Sequence, residues 1–227
     1  MKTKSFALSL LTTVLFTIQS KAQTNKPVTE KHSLEVNLNL QVGSAPITLD
    51  APSIKYRYFL NPNLAARTEV AASLFQNSSR IYNTTMNDFG TLNQSSWNIN
   101  WGIGAEHHFK GTDKLSPYLG LVAEIQTGGS SQEGTNTLNG FSYSQGDLFT
   151  NYISGSFGWG AGAVFGADYY LLKNIFVGAE ITFGYGRIFN GYQQVWTNRT
   201  GNTVETKLSS FGSLGMGSSG IRFGLRF

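Results

Sequence analysis

The feature that most constrains this chain is a period-two alternation of apolar residues with polar or small ones, repeated in eight separate segments. Successive side chains of an extended strand point to opposite faces, so each segment reads as a β-strand with two unlike faces. The segments span 34–42, 54–58, 64–74, 97–106, 119–125, 156–169, 175–185 and 221–227. In the fourth, Trp97, Ile99, Trp101 and Ile103 alternate with Asn98, Asn100, Gly102 and Gly104; in the last, Ile221, Phe223, Leu225 and Phe227 alternate with Arg222, Gly224 and Arg226. Neither heptads nor a fixed-period repeat are present. An even strand number suits a closed antiparallel barrel.

The connections alternate as well. Those at 61–63, 110–116 and 171–174 are short, while those at 43–52, 76–94, 127–151 and 187–208 are longer and rich in Asn, Ser, Thr and Gly. Short turns at one end and long loops at the other suit a barrel whose two termini lie in the periplasm.

Composition narrows the class. Charged residues are 13% and hydrophobic residues 40%, and the difference from an ordinary soluble domain is made up partly by 26 glycines. That balance argues against helical bundles, coiled coils and charge-rich disordered chains. With no cysteine, disulfide scaffolds, Cys-ligated zinc, iron–sulfur clusters and thiol catalysis are excluded.

The N-terminus accounts for most of the net charge. A basic start with Lys2 and Lys4, an apolar run from Phe6 to Ile18 and Ser20-Lys21-Ala22 form a signal-peptide pattern with cleavage expected after Ala22. The run is shorter than the roughly 20 residues of a membrane helix. Cleavage removes Lys2, Lys4 and Lys21 and no acid, so the formal charge falls from +4 to +1. A nucleic-acid partner loses its electrostatic basis. The expected division is a signal peptide at 1–22, a short flexible segment at 23–32 and a barrel domain at 33–227.

Period two does not say which face is outside. A lipocalin-like soluble barrel buries its apolar face, whereas a membrane barrel turns that face to lipid. Volume favours the second, since eight strands leave an interior only wide enough for side chains. Trp97, Trp101, Phe157, Trp159, Phe165, Phe183 and Phe223 with their aliphatic neighbours would overfill it. By phase the lumen then receives Glu35, Lys55, Arg57, Arg67, Glu69, Glu106, Glu124, Asp168, Glu180, Arg222 and Arg226. Acids and bases nearly balance, as a dry interior requires, because an unpaired buried charge costs several kcal/mol. This polar network reads as a structural plug, with a narrow gated pore as the alternative.

The signal, the eight alternating strands and the ending Gly220-Ile221-Arg222-Phe223-Gly224-Leu225-Arg226-Phe227 together resemble a small bacterial outer-membrane barrel of the OmpA/OmpX type, similar to those of Bacteroidota. The resemblance implies an all-β, eight-stranded antiparallel up-and-down transmembrane barrel in the outer membrane of a Gram-negative cell, both termini periplasmic. It also implies that Phe223, Leu225 and Phe227 form the signal read by the barrel-assembly machinery. Partners would be outer-membrane lipid and lipopolysaccharide, with host or environmental surfaces as possible ligands of the loops. No peptidoglycan-binding domain is expected after the last strand, a departure from the longer members.

Chemistry-bearing motifs are few. Gly215–Gly220 fits G-x-G-x-x-G, but runs into the last strand instead of opening a helix. Glu106-His107-His108 hints at a metal or acid–base site, yet adjacent strand residues face opposite ways, so the two histidines read as one interfacial and one lumen-rim residue. Four N-x-S/T sequons, at Asn77, Asn83, Asn93 and Asn198, read as chance in Asn/Ser/Thr-rich loops. Tyr56, Tyr58, Trp97, Phe109, Tyr169 and Tyr185 read as membrane-interface anchors. No catalytic residue, metal or cofactor is expected. The expected role is non-enzymatic, in envelope integrity or surface contact through the long loops, with a lipid A-modifying barrel enzyme as the enzymatic alternative.

Overall fold

The computed structural model describes residues 29–41, 48–49, 52–137 and 139–227. The expected signal peptide, residues 23–28 and most of the 43–52 connection lie outside the described residues.

Among the described residues there are eleven strands: β1 (His32–Gln41), β2 (Thr48–Leu49), β3 (Ser53–Asn61), β4 (Leu64–Asn83), β5 (Asp88–His108), β6 (Leu115–Thr137), β7 (Tyr143–Tyr170), β8 (Ile175–Asn190), β9 (Tyr192–Thr197), β10 (Thr203–Lys207) and β11 (Phe211–Arg226). All pairings are antiparallel. Eight of the strands close into a ring in the order β1-β3-β4-β5-β6-β7-β8-β11. Closure is made by β11 on β1, from Ser33↔Arg226 to Asn39↔Gly220, and is sealed by reciprocal backbone bonds between His32 and Phe227. His32 therefore heads the first barrel strand, one residue before the expected start of the domain.

The ladder does not close at one level. From Asn37 it runs through Ser53, Ala71, Asn100, Gln126, Gly158 and Ile188 to Phe211, eleven positions from Arg222, the direct partner of Asn37. That stagger, part of it absorbed by a bulge between Met216 and Ser219, tilts the strands, as a small barrel requires.

The faces are inverted relative to a water-soluble protein. Arg57, Arg222 and Lys55 inside are fully buried, while Leu121 outside is 70% exposed and Phe165 54%. Phe183, Phe223, Trp101 and Ile103 share that outer face and are also exposed. An apolar surface of this extent needs a lipid surround. The molecule is an eight-stranded antiparallel transmembrane β-barrel.

One expectation is corrected. The 76–94, 127–151 and 187–208 connections are not simple loops. Strand β4 continues to Asn83 and pairs with β5 residue by residue up to Asn83↔Asp88; β6 continues to Thr137 and β7 starts at Tyr143. Above the end of β8, the β9–β10 hairpin takes over as the neighbour of β7, from Phe149↔Thr197 to Ile153↔Gln193. Alternation of apolar with polar residues stops there because neither face meets lipid, but backbone pairing does not depend on it. A membrane-crossing strand needs about 9–11 residues. Strands β1 and β3 have 10 and 9, whereas β4, β5, β6 and β7 have 20, 21, 23 and 28. At about 3.3 Å per residue, the surplus is roughly 30–55 Å of strand. One side of the barrel thus rises into a tall β-wall at the end away from the termini.

Candidate functional site

The lumen is filled at the end that carries the termini. Side chains of all eight ring strands meet there because their inward positions share one phase. Arg57 of β3 is clamped by three carboxylates: its Nε contacts Glu35, Nη1 lies 3.0 Å from Glu106 Oε2, and Nη2 lies 2.8 Å from Asp168 Oδ2. Arg222 of β11 shares two of them, at 2.6 Å from Glu35 Oε2 and 2.8 Å from Asp168 Oδ1. Above this layer, Glu180 of β8 receives Lys55 Nζ at 2.7 Å, Arg67 Nη2 at 3.0 Å and the Tyr118 hydroxyl at 2.5 Å. Arg67 also reaches Glu106 at 3.0 Å and Glu69 at 2.8 Å. Each cation serves at least two carboxylates, which meets the demand that buried charges be paired and hydrogen-bonded.

Nine of the eleven residues expected in the lumen join this network, and two stand apart. Arg226 makes no ion pair to a described residue; its Nε donates to the Glu30 carbonyl at 2.9 Å, and its guanidinium lies 3.6 Å from the centre of the Phe59 ring. Glu124 sits higher, beside a cavity of about 380 Å³ lined also by Val122, Thr182, Ser213 and a run of glycines. The barrel is therefore plugged below and hollow above. Outside, Phe223 and Leu225 lie on the apolar face of β11, and Phe227, just past its end, is exposed and stacks on His32 at 5.8 Å.

Sequence reading missed the aromatic part of the plug. Tyr118, Phe59, Tyr170 and Phe176 are all buried in the lumen. The Arg57 guanidinium lies 5.2 to 5.7 Å from the ring centres of Phe59, Tyr118 and Phe176, distances at which a desolvated cation and a ring attract. Phase was the available signal: Phe59 continues the parity of Lys55 and Arg57, and Phe176 that of Gly178 and Glu180. Room for such rings comes from facing glycines. Phe176 is the register partner of Gly224, and Tyr118 of Gly166. A β-carbon at either glycine would overlap the ring.

The two adjacent histidines part company. His107 faces outward, edge-on to Phe109 at 5.1 Å. His108 is buried in the lumen, 3.1 Å from Ser116 Oγ and 3.3 Å from Glu106 Oε2. Among the described residues, no group of three or more His, Asp or Glu is placed to hold a metal ion. The Gly215–Gly220 stretch lies within β11, with no helix after it.

Beyond the membrane level, side chains clip the tall wall together. Asp88 Oδ2 accepts from the Tyr143 hydroxyl at 2.5 Å, tying the tip of β5 to β7. Asp147 Oδ1 accepts from Arg199 Nε at 2.8 Å and its Oδ2 lies 2.8 Å from Arg199 Nη2 as an ion pair, tying β7 to the β9–β10 turn. These bonds hold both carboxyls below the usual aspartate range, through the Tyr143 hydroxyl at Asp88 and the Arg199 guanidinium at Asp147.

An inverted barrel with a charged, closed lumen defines a bacterial outer-membrane barrel protein. Residues 52–186 match the family described as "Putative OmpA-OmpF-like porin family", and the chain belongs to it. No curated protein matches the sequence. Similar solved structures include OprG from Pseudomonas aeruginosa (13% identity, TM-score 0.48, covering 89% of this chain and 98% of that one). Ail, the attachment invasion locus protein of Yersinia pestis, is 13% identical with a TM-score of 0.35 over 88% of this chain and 99% of its own. The outer membrane protease OmpT of Escherichia coli is 9% identical with a TM-score of 0.37, over 88% and 94%.

Proposed function

We propose that this outer-membrane protein is a non-conducting, non-enzymatic barrel that presents a rigid β-wall at the cell surface for contact with surfaces outside the cell. Both termini lie in the periplasm in this reading, residues 1–22 are removed as a signal peptide, and 33–227 form the barrel domain. The carrying observation is the strand length of β4 to β7, about twice what a membrane crossing needs. A strand that only anchors the chain would end at the interface. Continued pairing with cross-clips holds the distal residues in a fixed arrangement, and binding groups on a rigid scaffold lose less entropy on contact. The wall's outer face changes from Leu74 and Trp97 to Gln76, Ser78, Asn93, Ser95, Ser131 and Glu133, with a shallow polar recess of about 480 Å³ among them. The nine-residue ion network supports reading the lumen as a plug, since its buried cations and carboxylates bind one another across the lower barrel.

The test is excision of Ser78–Asn93, joining Asn77 to Gln94 through a two-residue turn, which keeps their register pair. Retained heat-modifiable migration with lost attachment of cells to surfaces is expected. Unchanged attachment overturns the surface-contact reading. Discrete conductance of the intact protein in planar bilayers overturns the plug in favour of a pore, and a changed lipid A mass spectrum in cells that carry it overturns the non-enzymatic reading.

A further inference from the structure

We infer that Arg187, Ser210 and Tyr185 form an outward-facing site at the distal membrane interface that holds a phosphate of lipid A. Strand β8 crosses the membrane with Ile175, Val177, Ala179, Ile181, Phe183 and Tyr185 on its lipid face, and the next residue of that face is Arg187. No other charged residue of β8 points outward; its one acid, Glu180, is in the lumen. Arg187 stands twelve residues beyond Ile175. At about 3.3 Å per residue and a tilt near 40°, that is roughly 30 Å of height. The apolar band of such barrels is about 25 Å tall. Arg187 thus falls where hydrocarbon ends and headgroups begin, the one level at which an outward arginine carries no large penalty.

Its surroundings are built to keep the charge at that level. Register neighbours Trp159 on β7 and Gly212 on β11 flank it. The guanidinium rests over the Phe189 ring at 5.0 Å, and Nη2 lies 3.4 Å from Ser210 Oγ. Tyr185, edge-on to Trp159 at 5.9 Å, leans toward the space that a side chain at 212 would occupy: its hydroxyl lies 2.6 Å from where a β-carbon there would sit. That hydroxyl makes no hydrogen bond, and Arg187 no ion pair, to any described residue. A guanidinium fork drawn toward Ser210 and a phenol hydroxyl over Gly212 therefore share this rim with donors unspent. Lys207, the register partner of outward Tyr192, adds a second cation on the same face farther from the membrane centre.

A planar fork is matched to two oxygens of a phosphate, and Tyr and Trp at the headgroup level set the depth. A group fixed outside the barrel and facing lipid can meet only molecules of that leaflet. The choice of lipid A rests on the proposed orientation, which puts this rim in the outer leaflet.

The experiment uses the purified full chain in detergent micelles and native mass spectrometry, with bisphosphorylated lipid A as probe and dephosphorylated lipid A and phosphatidylglycerol as comparisons. Arg187→Ala should weaken lipid A binding about tenfold, a loss typical of a hydrogen bond to a charged group. Arg187→Lys should fall between, because it keeps the charge without the fork. Tyr185→Phe should cost less than Arg187→Ala. Heat-modifiable migration of each variant reports folding. Wild-type affinity in Arg187→Ala overturns the site, as does equal binding of dephosphorylated lipid A. Equal, Arg187-dependent binding of phosphatidylglycerol overturns the lipid A assignment. The orientation is read separately, by protease cleavage of the wall on intact cells, so its failure leaves a distinct signature.

Discussion

Tyr118 and Gly166 are register partners across β6 and β7, and the tyrosine ring lies over the glycine so closely that a β-carbon at 166 would collide with it. The same ring donates its hydroxyl to Glu180 at 2.5 Å and lies 5.2 Å from the Arg222 guanidinium. One missing side chain thus makes room for the residue that links the aromatic and ionic layers of the plug.

Gly166→Val should therefore destabilise the barrel by about 1–3 kcal/mol, the usual cost of overpacking a filled interior. Gly215→Ala is the control, since a β-carbon there meets open space, and it should stay within about 0.5 kcal/mol. The temperature at which the folded band disappears from detergent gels measures both.

Arg57→Met should cost about 3–5 kcal/mol, because Glu35, Glu106 and Asp168 would lose their shared cation while remaining buried. Adding Asp168→Asn should recover part of that loss. Denaturant unfolding from micelles decides it; additive losses would mean that the two groups act independently.

In planar bilayers, the wild-type protein should show no stepwise conductance. Arg57→Ala should open brief events by breaking the plug. Glu124→Ala should leave the trace flat, because Glu124 stands above the ion network, beside the open cavity.

The clips on the distal wall should respond to acid. Bonding depresses the Asp88 and Asp147 carboxyls in the folded wall, so their contribution is complete above the unfolded value near 4 and is lost as pH falls through the lower folded values. Protease cleavage of the wall should rise below about pH 4 in the wild type. Arg199→Ala should raise cleavage already at neutral pH and flatten the part of the acid response due to Asp147.

Much of this was legible in the residue order. Alternation marks faces, so Leu34 to Phe227 could be sorted into lipid-facing and lumen-facing sets without coordinates, and the balance of acids and bases required pairing inside. Signal was weakest above the membrane. Around Gln76–Gln94 both faces of the wall meet water and the alternation vanishes, although the backbone still pairs rung by rung. Lumen aromatics escaped notice because Phe59 and Phe176 share an apolar character with the outer face and differ from it only in parity.

Period two, glycine content and the charge balance of the inward phase by themselves determined an inverted antiparallel barrel, because each follows from local geometry and the cost of burying charge. Tertiary structure alone decided which carboxylate meets which cation, which glycine lies under which ring, and that Arg187, Ser210 and Tyr185 share one rim. Those pairings depend on the stagger of the closed ring, a property of all eight strands together that no single segment encodes.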